Sequence, residues 1–195
     1  MQVGVICATL FVLPLVAAER MTVSVCAEGH LNEKTVVGAE AAATQLFHAV
    51  DIDVSWASCE SGLEGEAAVQ NHWYTARFRD GRALLTPGPA ALDPLGEAFF
   101  SDSGGYLADV YYEGIQTLAS THEVEFTTLL GYVMAHEICH LLVGPGHAAS
   151  GVMRRAWDRN DLIAMREGRL KFAPADGARM RRALQGTATY RAEAP

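Results

Sequence analysis

The sequence predicts a single domain of the mixed α/β class. We expect a five-stranded, mostly parallel sheet with an antiparallel edge strand, packed on a backing helix and a central helix. Two observations carry this prediction: short β-branched segments alternate with a helical segment early in the chain, and a long apolar run follows later. The 195 residues, 50% hydrophobic and 19% charged, suffice for one core. The formal net charge of -8 disfavours binding to a phosphate backbone, so we expect no nucleic-acid partner.

The first part of the chain contains a βαβ unit. Residues 21–27 and 52–58 are apolar and rich in β-branched side chains, which predicts two strands. Between them, residues 33–50 carry apolar side chains near helical spacing, and Asn32 can cap this helix. A strand, a helix and a strand in this order are expected to cross over right-handed, which makes the two strands parallel.

Three further strands are predicted. Residues 73–79 form the third strand, and residues 97–101 and 107–112 flank an Asp-Ser-Gly-Gly cluster that favours a turn. This last pair is therefore expected to be an antiparallel hairpin. Residues 61–70 are polar, and residues 80–96 carry three prolines and three glycines, so both segments are expected to be irregular connections.

The N-terminal segment resembles an export signal. Residues 3–18 are apolar, contain no charge and end in small residues before Glu19 and Arg20. We therefore expect residues 1–18 to be a signal peptide and residues 19–195 to be a single secreted or periplasmic domain. No stable membrane span is then expected after cleavage; a retained anchor and a buried N-terminal segment are the alternatives.

The interpretation of the four cysteines depends on the predicted export signal. Cys7 would leave with the signal peptide, and Cys26 and Cys59 can pair in an oxidising compartment if their segments lie side by side. Cys139 would then be a free thiol. In the alternative interpretation, all three are small buried apolar residues.

The long apolar run predicts a central helix. It would begin at the capping-box sequence Ser-Thr-His-Glu, residues 120–123, and end at Val143, before a Gly-Pro pair. The run is apolar on nearly every face, which is typical of a buried helix. Glu137 is the only Asp, Glu, Lys or Arg in residues 126–153. Because a buried carboxylate is costly unless it is paired or lies near a cation, this residue calls for a partner.

The spacing of the histidines indicates that this cation is a bound metal ion. His136 and His140 are one helical turn apart, so both imidazoles can bind one metal ion at about 2.0 to 2.1 Å, the distance that zinc prefers. His147 follows a Gly-Pro-Gly turn and can return as the third ligand. Glu137 lies beside the ligands, where it can activate a zinc-bound water. The prediction is one Zn²⁺ per chain and a hydrolytic site.

The segment HEICHLLVGPGH, followed by SGVM, resembles the zinc site of the metzincin metallopeptidases. This clan includes astacins and matrixins, and its pattern is H-E-x-x-H-x-x-G-x-x-H with a methionine turn downstream. The resemblance implies that His136, His140 and His147 are the zinc ligands. It further implies that Glu137 is the general base and that Met153 is the methionine beneath the metal.

The sequence departs from the metzincin pattern at two positions. One additional residue precedes Gly144, so that the third histidine comes one place late, and Arg155 stands where astacins carry a tyrosine. Glycine is conformationally permissive, and Gly144 and Gly146 can absorb the additional residue. Glu167 and Cys59 are the alternative third ligands, by analogy with other zinc enzymes.

The order of the predicted elements also matches metzincins. The resemblance implies an N-terminal subdomain, residues 19–143, that ends with the active-site helix, and a small C-terminal subdomain, residues 144–195. In the latter, helices are predicted at residues 159–166 and 174–184. The strand predicted at residues 97–101 corresponds to the metzincin edge strand, which implies that it pairs with an extended peptide.

The implied activity is that of a secreted zinc metalloendopeptidase. We expect a monomer whose partner is a peptide or protein substrate. A secreted zinc-binding module without peptidase activity is the alternative, and a zinc-dependent nuclease is a further one that the net charge disfavours.

Overall fold

The structure is a computed structural model that describes residues 18–27, 31–59, 72–80, 94–102 and 104–192, with side chains up to residue 186. The strands in this part of the chain are β1 (Glu19–Ala27), β2 (Ile52–Ser58), β3 (Trp73–Arg79), β4 (Gly96–Ser101) and β5 (Gly104–Tyr111). The helices are α1 (Glu33–His48), α2 (Tyr112–His122), α3 (Phe126–Val143), α4 (Arg159–Arg166) and α5 (Pro174–Ala192). The predicted signal peptide up to residue 17, the predicted loop 61–70 and residues 81–93 of the second predicted loop lie outside the described residues.

The strands form one sheet in the order β2-β1-β3-β5-β4. Strand β1 is parallel to β2 and to β3, and β3 is parallel to β5. Strand β4 is antiparallel to β5 and lies at the edge. The predicted mixed sheet with one antiparallel edge strand is therefore confirmed. Its parallel β1/β2 pair follows from the helical crossover through α1.

Helices α1 and α3 pack together and against the sheet. Along β3, Tyr74 and Phe78 are buried while their neighbours are partly exposed, the alternation expected of a strand with one covered face. Helix α3 is buried at every position of residues 129–142, which confirms its predicted central place. Gly131 allows α3 to lie close to α1, because a Cβ there would be 2.5 Å from the carbonyl oxygen of Ala39.

The predicted start of the central helix at residues 120–123 is wrong. These residues belong to the end of the separate helix α2, and Glu123 terminates α2 by adopting the left-handed backbone conformation with a φ of 55°. Ser120 donates its hydroxyl hydrogen to the carbonyl of Thr117 at 2.9 Å and so does not cap a helix. Glu125 is the cap of α3, since its carboxylate accepts a backbone N–H from the first turn at 2.7 Å.

Other boundaries differ by a few residues. Strand β5 begins at Gly104, inside the predicted turn, and ends at Tyr111. Helix α1 ends at His48, whereas α4 spans the predicted residues with a capping box at Asp158. Helix α5 continues beyond the predicted end at residue 184.

Two of the cysteines form a disulfide. Cys26 at the end of β1 is bonded to Cys59, which directly follows β2, and Cys139 is a buried free thiol. The disulfide confirms the pairing of Cys26 with Cys59, which the sequence left as one of two alternatives. Helix α3, which carries Cys139, is long and apolar enough to cross a membrane, but in this fold it is the core helix covered by the sheet and α1.

Candidate metal site

Helix α3 presents two imidazoles whose Nε2 atoms face each other. The Nδ1 atom of His136 lies 2.8 Å from the carbonyl oxygen of Val152, and that of His140 lies 3.2 Å from the carbonyl oxygen of Gly144. Because a carbonyl only accepts, each Nδ1 must carry the hydrogen, which leaves a lone pair on each Nε2. The two Nε2 atoms are 3.1 Å apart. Two lone pairs at this distance are stabilised by a cation between them.

The third imidazole comes from the loop after α3. Gly144 and Gly146 have φ values of 83° and 125°, and this backbone turns the chain back toward the helix. The ring centroid of His147 lies 5.3 Å from that of His136 and 4.9 Å from that of His140. The additional residue of the motif is therefore absorbed by two glycines in conformations that other residues rarely adopt.

The three histidines fit a zinc ion. One ligand nitrogen from each residue can be chosen so that all three lie within 4.8 Å of one another. A tetrahedral site with zinc–nitrogen bonds of about 2.0 to 2.1 Å places its ligand atoms about 3.4 Å apart, close to the separation in the helical pair. Burial lowers the pKa of His136 to about 4, and burial is also the main cause that lowers the pKa of His140 and of His147. Neutral imidazole is the form that binds metals.

Neither alternative third ligand is placed for this role. The sulfur of Cys59 is bonded to Cys26. The carboxylate of Glu167 accepts hydrogen bonds from Arg169 beyond the end of α4. Among the described residues, the three-histidine group is the one that brings three such side chains together for a metal ion.

Glu137 directly follows His136 in α3 and is only 7% exposed. Burial raises its pKa to about 8, and the negative charge of Glu97 on β4 adds to this rise. Glu97 itself accepts a hydrogen bond from the Tyr111 hydroxyl at 3.3 Å. A second carboxylate, that of Glu97, therefore lies near Glu137, and no motif in the sequence points to it. Glu97 lies in the predicted edge strand, but only the pairing register of the sheet brings this residue near α3.

Met153 lies in a tight turn that supports the site. Its side chain is 2% exposed, and its carbonyl accepts the backbone N–H of Ala148 at 2.8 Å. The preceding residue, Val152, supplies the carbonyl that orients His136 and also accepts the indole N–H of Trp157 at 3.2 Å. The turn at Met153 thus orients an imidazole through the backbone carbonyl of Val152, a support that the motif does not reveal.

Arg155, the residue at the astacin tyrosine position, is exposed. Its positive charge contributes to the lowered pKa of His147, after burial. The structure therefore places a cation, and not a phenol, near the third histidine.

Comparison with known proteins finds matches by structure but none by sequence. No family model and no curated protein sequence matches the chain. Its fold is similar to the crystal structure of an archaemetzincin from Methanopyrus kandleri, with a TM-score of 0.50 and 14% sequence identity over 89% of this chain and 99% of that chain. The likeness supports the expected metzincin-like fold at the level of architecture.

Proposed function

We propose that this protein is a secreted zinc metallopeptidase that hydrolyses peptide bonds. The observation that carries the proposal is the pair of Nε2 atoms of His136 and His140, 3.1 Å apart, with His147 beside them. Glu137 directly follows His136 in α3 and is buried. A zinc ion bound by three imidazoles supplies an acidified water and polarises a carbonyl group.

In this proposal, the candidate site residues have separate roles. His136, His140 and His147 would hold one ion per chain and leave a coordination position open for substrate. Glu137 would accept the proton of the attacking water on a carboxylate oxygen and return it to the leaving amine nitrogen. The backbone carbonyls of Val152 and Gly144 keep two of the imidazoles in the tautomer that binds metal.

We further propose that an extended peptide is the substrate. Strand β4 is the edge strand of the described sheet, and its far edge offers main-chain groups for pairing. Export is supported by the apolar, uncharged residues 3–18 and by the disulfide between Cys26 and Cys59. We expect a monomer, since large hydrophobic side chains among the described residues are exposed at only three positions, Val37, Phe100 and Tyr106.

The proposal is tested on the protein loaded with zinc. A quenched peptide library and a labelled RNA are each incubated with the wild type and with Glu137→Gln. We expect peptide cleavage by the wild type and its loss in the variant, because the substitution removes the proton acceptor and spares the ligands. Equal zinc content in both proteins, measured by mass spectrometry, is the control. Zinc binding without cleavage of any peptide would identify a binding module, and cleavage of RNA alone would identify a nuclease.

A further inference from the structure

We infer that Gly96, the first residue of β4, is a positioning residue for Glu137. The absence of a side chain at this position lets the edge strand lie directly against the buried carboxylate and hold it in place. The inference rests on the proposed function, in which Glu137 moves the proton. It adds a residue outside the histidine-glutamate motif to the machinery.

The distances at Gly96 leave no room for a side chain. A Cβ at this position would lie 2.6 Å from Cγ, 2.8 Å from Oε1 and 2.9 Å from Cδ of Glu137. Nonbonded carbon atoms meet at about 3.5 to 4.0 Å, so a methyl group here overlaps three atoms of one side chain. The three atoms include the carboxylate carbon and one of its oxygens. The backbone of β4 at Gly96 thus packs directly against the carboxylate of Glu137.

The strand cannot withdraw from the helix without breaking the sheet. Gly96 is paired with Val110 of β5, and the carbonyl of Leu95 accepts the backbone N–H of Tyr111 at 2.8 Å. Moving β4 outward would break these contacts.

The helix cannot withdraw easily either. Gly105 of β5 lies so close to α3 that a Cβ there would be 2.5 Å from the Cα and 2.6 Å from the carbonyl oxygen of Leu141. Helix α3 also meets α1 at Gly131 with similar closeness. Because both backbones are fixed, a methyl group at position 96 must displace the side chain of Glu137. A displacement of about 1 Å in a reacting group can reduce the rate by about 10²-fold.

The two glycines of this hairpin provide a matched pair. Gly96→Ala meets a side chain, whereas Gly105→Ala meets the helix backbone. We expect Gly96→Ala to lower kcat by about 10²-fold with little change in KM. Zinc affinity should stay at the wild-type value, because none of the three closest atoms belongs to a histidine. Gly105→Ala should instead lower the melting temperature and reduce zinc affinity together, since it displaces the helix that carries the ligands.

A thermal double-mutant cycle tests the contact without any activity measurement. Melting temperatures are measured for the zinc-free wild type, Gly96→Ala, Glu137→Ala and the double variant. Glu137→Ala removes all three atoms that the methyl group would overlap, so the decrease caused by Gly96→Ala in the wild type should disappear in this background. An equal decrease in both backgrounds would overturn the inference, as would an unchanged kcat in Gly96→Ala. If the wild type cleaves no peptide, the proposed function fails, and the thermal cycle still decides whether Gly96 holds Glu137.

Discussion

Zinc should stabilise the fold by an amount that depends on His147. The ion bridges two histidines of α3 and one from the following loop, a grouping that the unfolded chain does not have. At a free zinc concentration 100 times the dissociation constant, binding to the native state alone contributes about 2.7 kcal/mol to the free energy of unfolding. For a chain of 195 residues, this raises the melting temperature by about 5 to 11 °C.

His147→Ala separates this zinc effect from packing. The side chain of His147 is exposed, so the zinc-free variant should melt close to the zinc-free wild type. Loss of a residue that only orients a metal ligand weakens binding by about 10- to 100-fold, so loss of a ligand itself is expected to weaken zinc binding by at least about 100-fold. This leaves a stabilisation of at most about 0.4 kcal/mol at the same zinc concentration. The increase in melting temperature should then shrink to about 1 to 2 °C.

The assay is thermal unfolding followed by circular dichroism, with a chelator and with a series of buffered zinc concentrations. His48→Ala serves as the control, because this exposed histidine at the end of α1 is not part of the metal-binding group. It should keep the full zinc effect. A melting temperature that is indifferent to the chelator, or a full zinc effect in His147→Ala, would refute the three-histidine site.

Two further predictions concern the scaffold. Cys26→Ser or Cys59→Ser should reduce the free energy of unfolding by about 3 to 4 kcal/mol, as expected for a closed loop of this size, in a denaturant titration; equal midpoints with and without reductant in the wild type would contradict this. Gly131→Ala should destabilise the fold by about 1 to 3 kcal/mol, because its Cβ would lie 2.5 Å from the carbonyl oxygen of Ala39. Gly186→Ala, where no described atom lies within 4 Å of the added Cβ, is the control and should be neutral or slightly stabilising.

The sequence predicts the candidate ligands because their spacing is local. His136, Glu137 and His140 lie within two turns of one helix, and a helix places residues four apart on one face whatever surrounds it. The place of His147 depends on a short loop, whose two glycines already indicate a turn. Four of the candidate site residues therefore lie within twelve residues of sequence, 136–147.

Contacts that join distant parts of the chain were not predictable in this way. The carbonyl of Val152 that orients His136 and the backbone of Gly96 that meets Glu137 depend on how α3 lies against the sheet and the methionine turn. The prediction that the central helix begins at residues 120–123 is wrong for a related reason. A capping-box pattern is equally compatible with the last turn of one helix, and the left-handed Glu123 decides the matter.

Close packing of α3 fixes the direction in which its two histidines point. A helix that rotates by one residue turns its side chains by about 100°, which would take both histidines away from the loop. Gly131 meets α1 at one end of the helix, and Gly105 meets the backbone of Leu141 at the other. These two contacts fix both the rotation of α3 about its axis and its position along that axis. His136 and His140 lie between the two contacts. Because close backbone contacts set the rotation of α3, His136 and His140 are held on the side of the helix that faces His147. We therefore expect zinc binding to cost little further ordering.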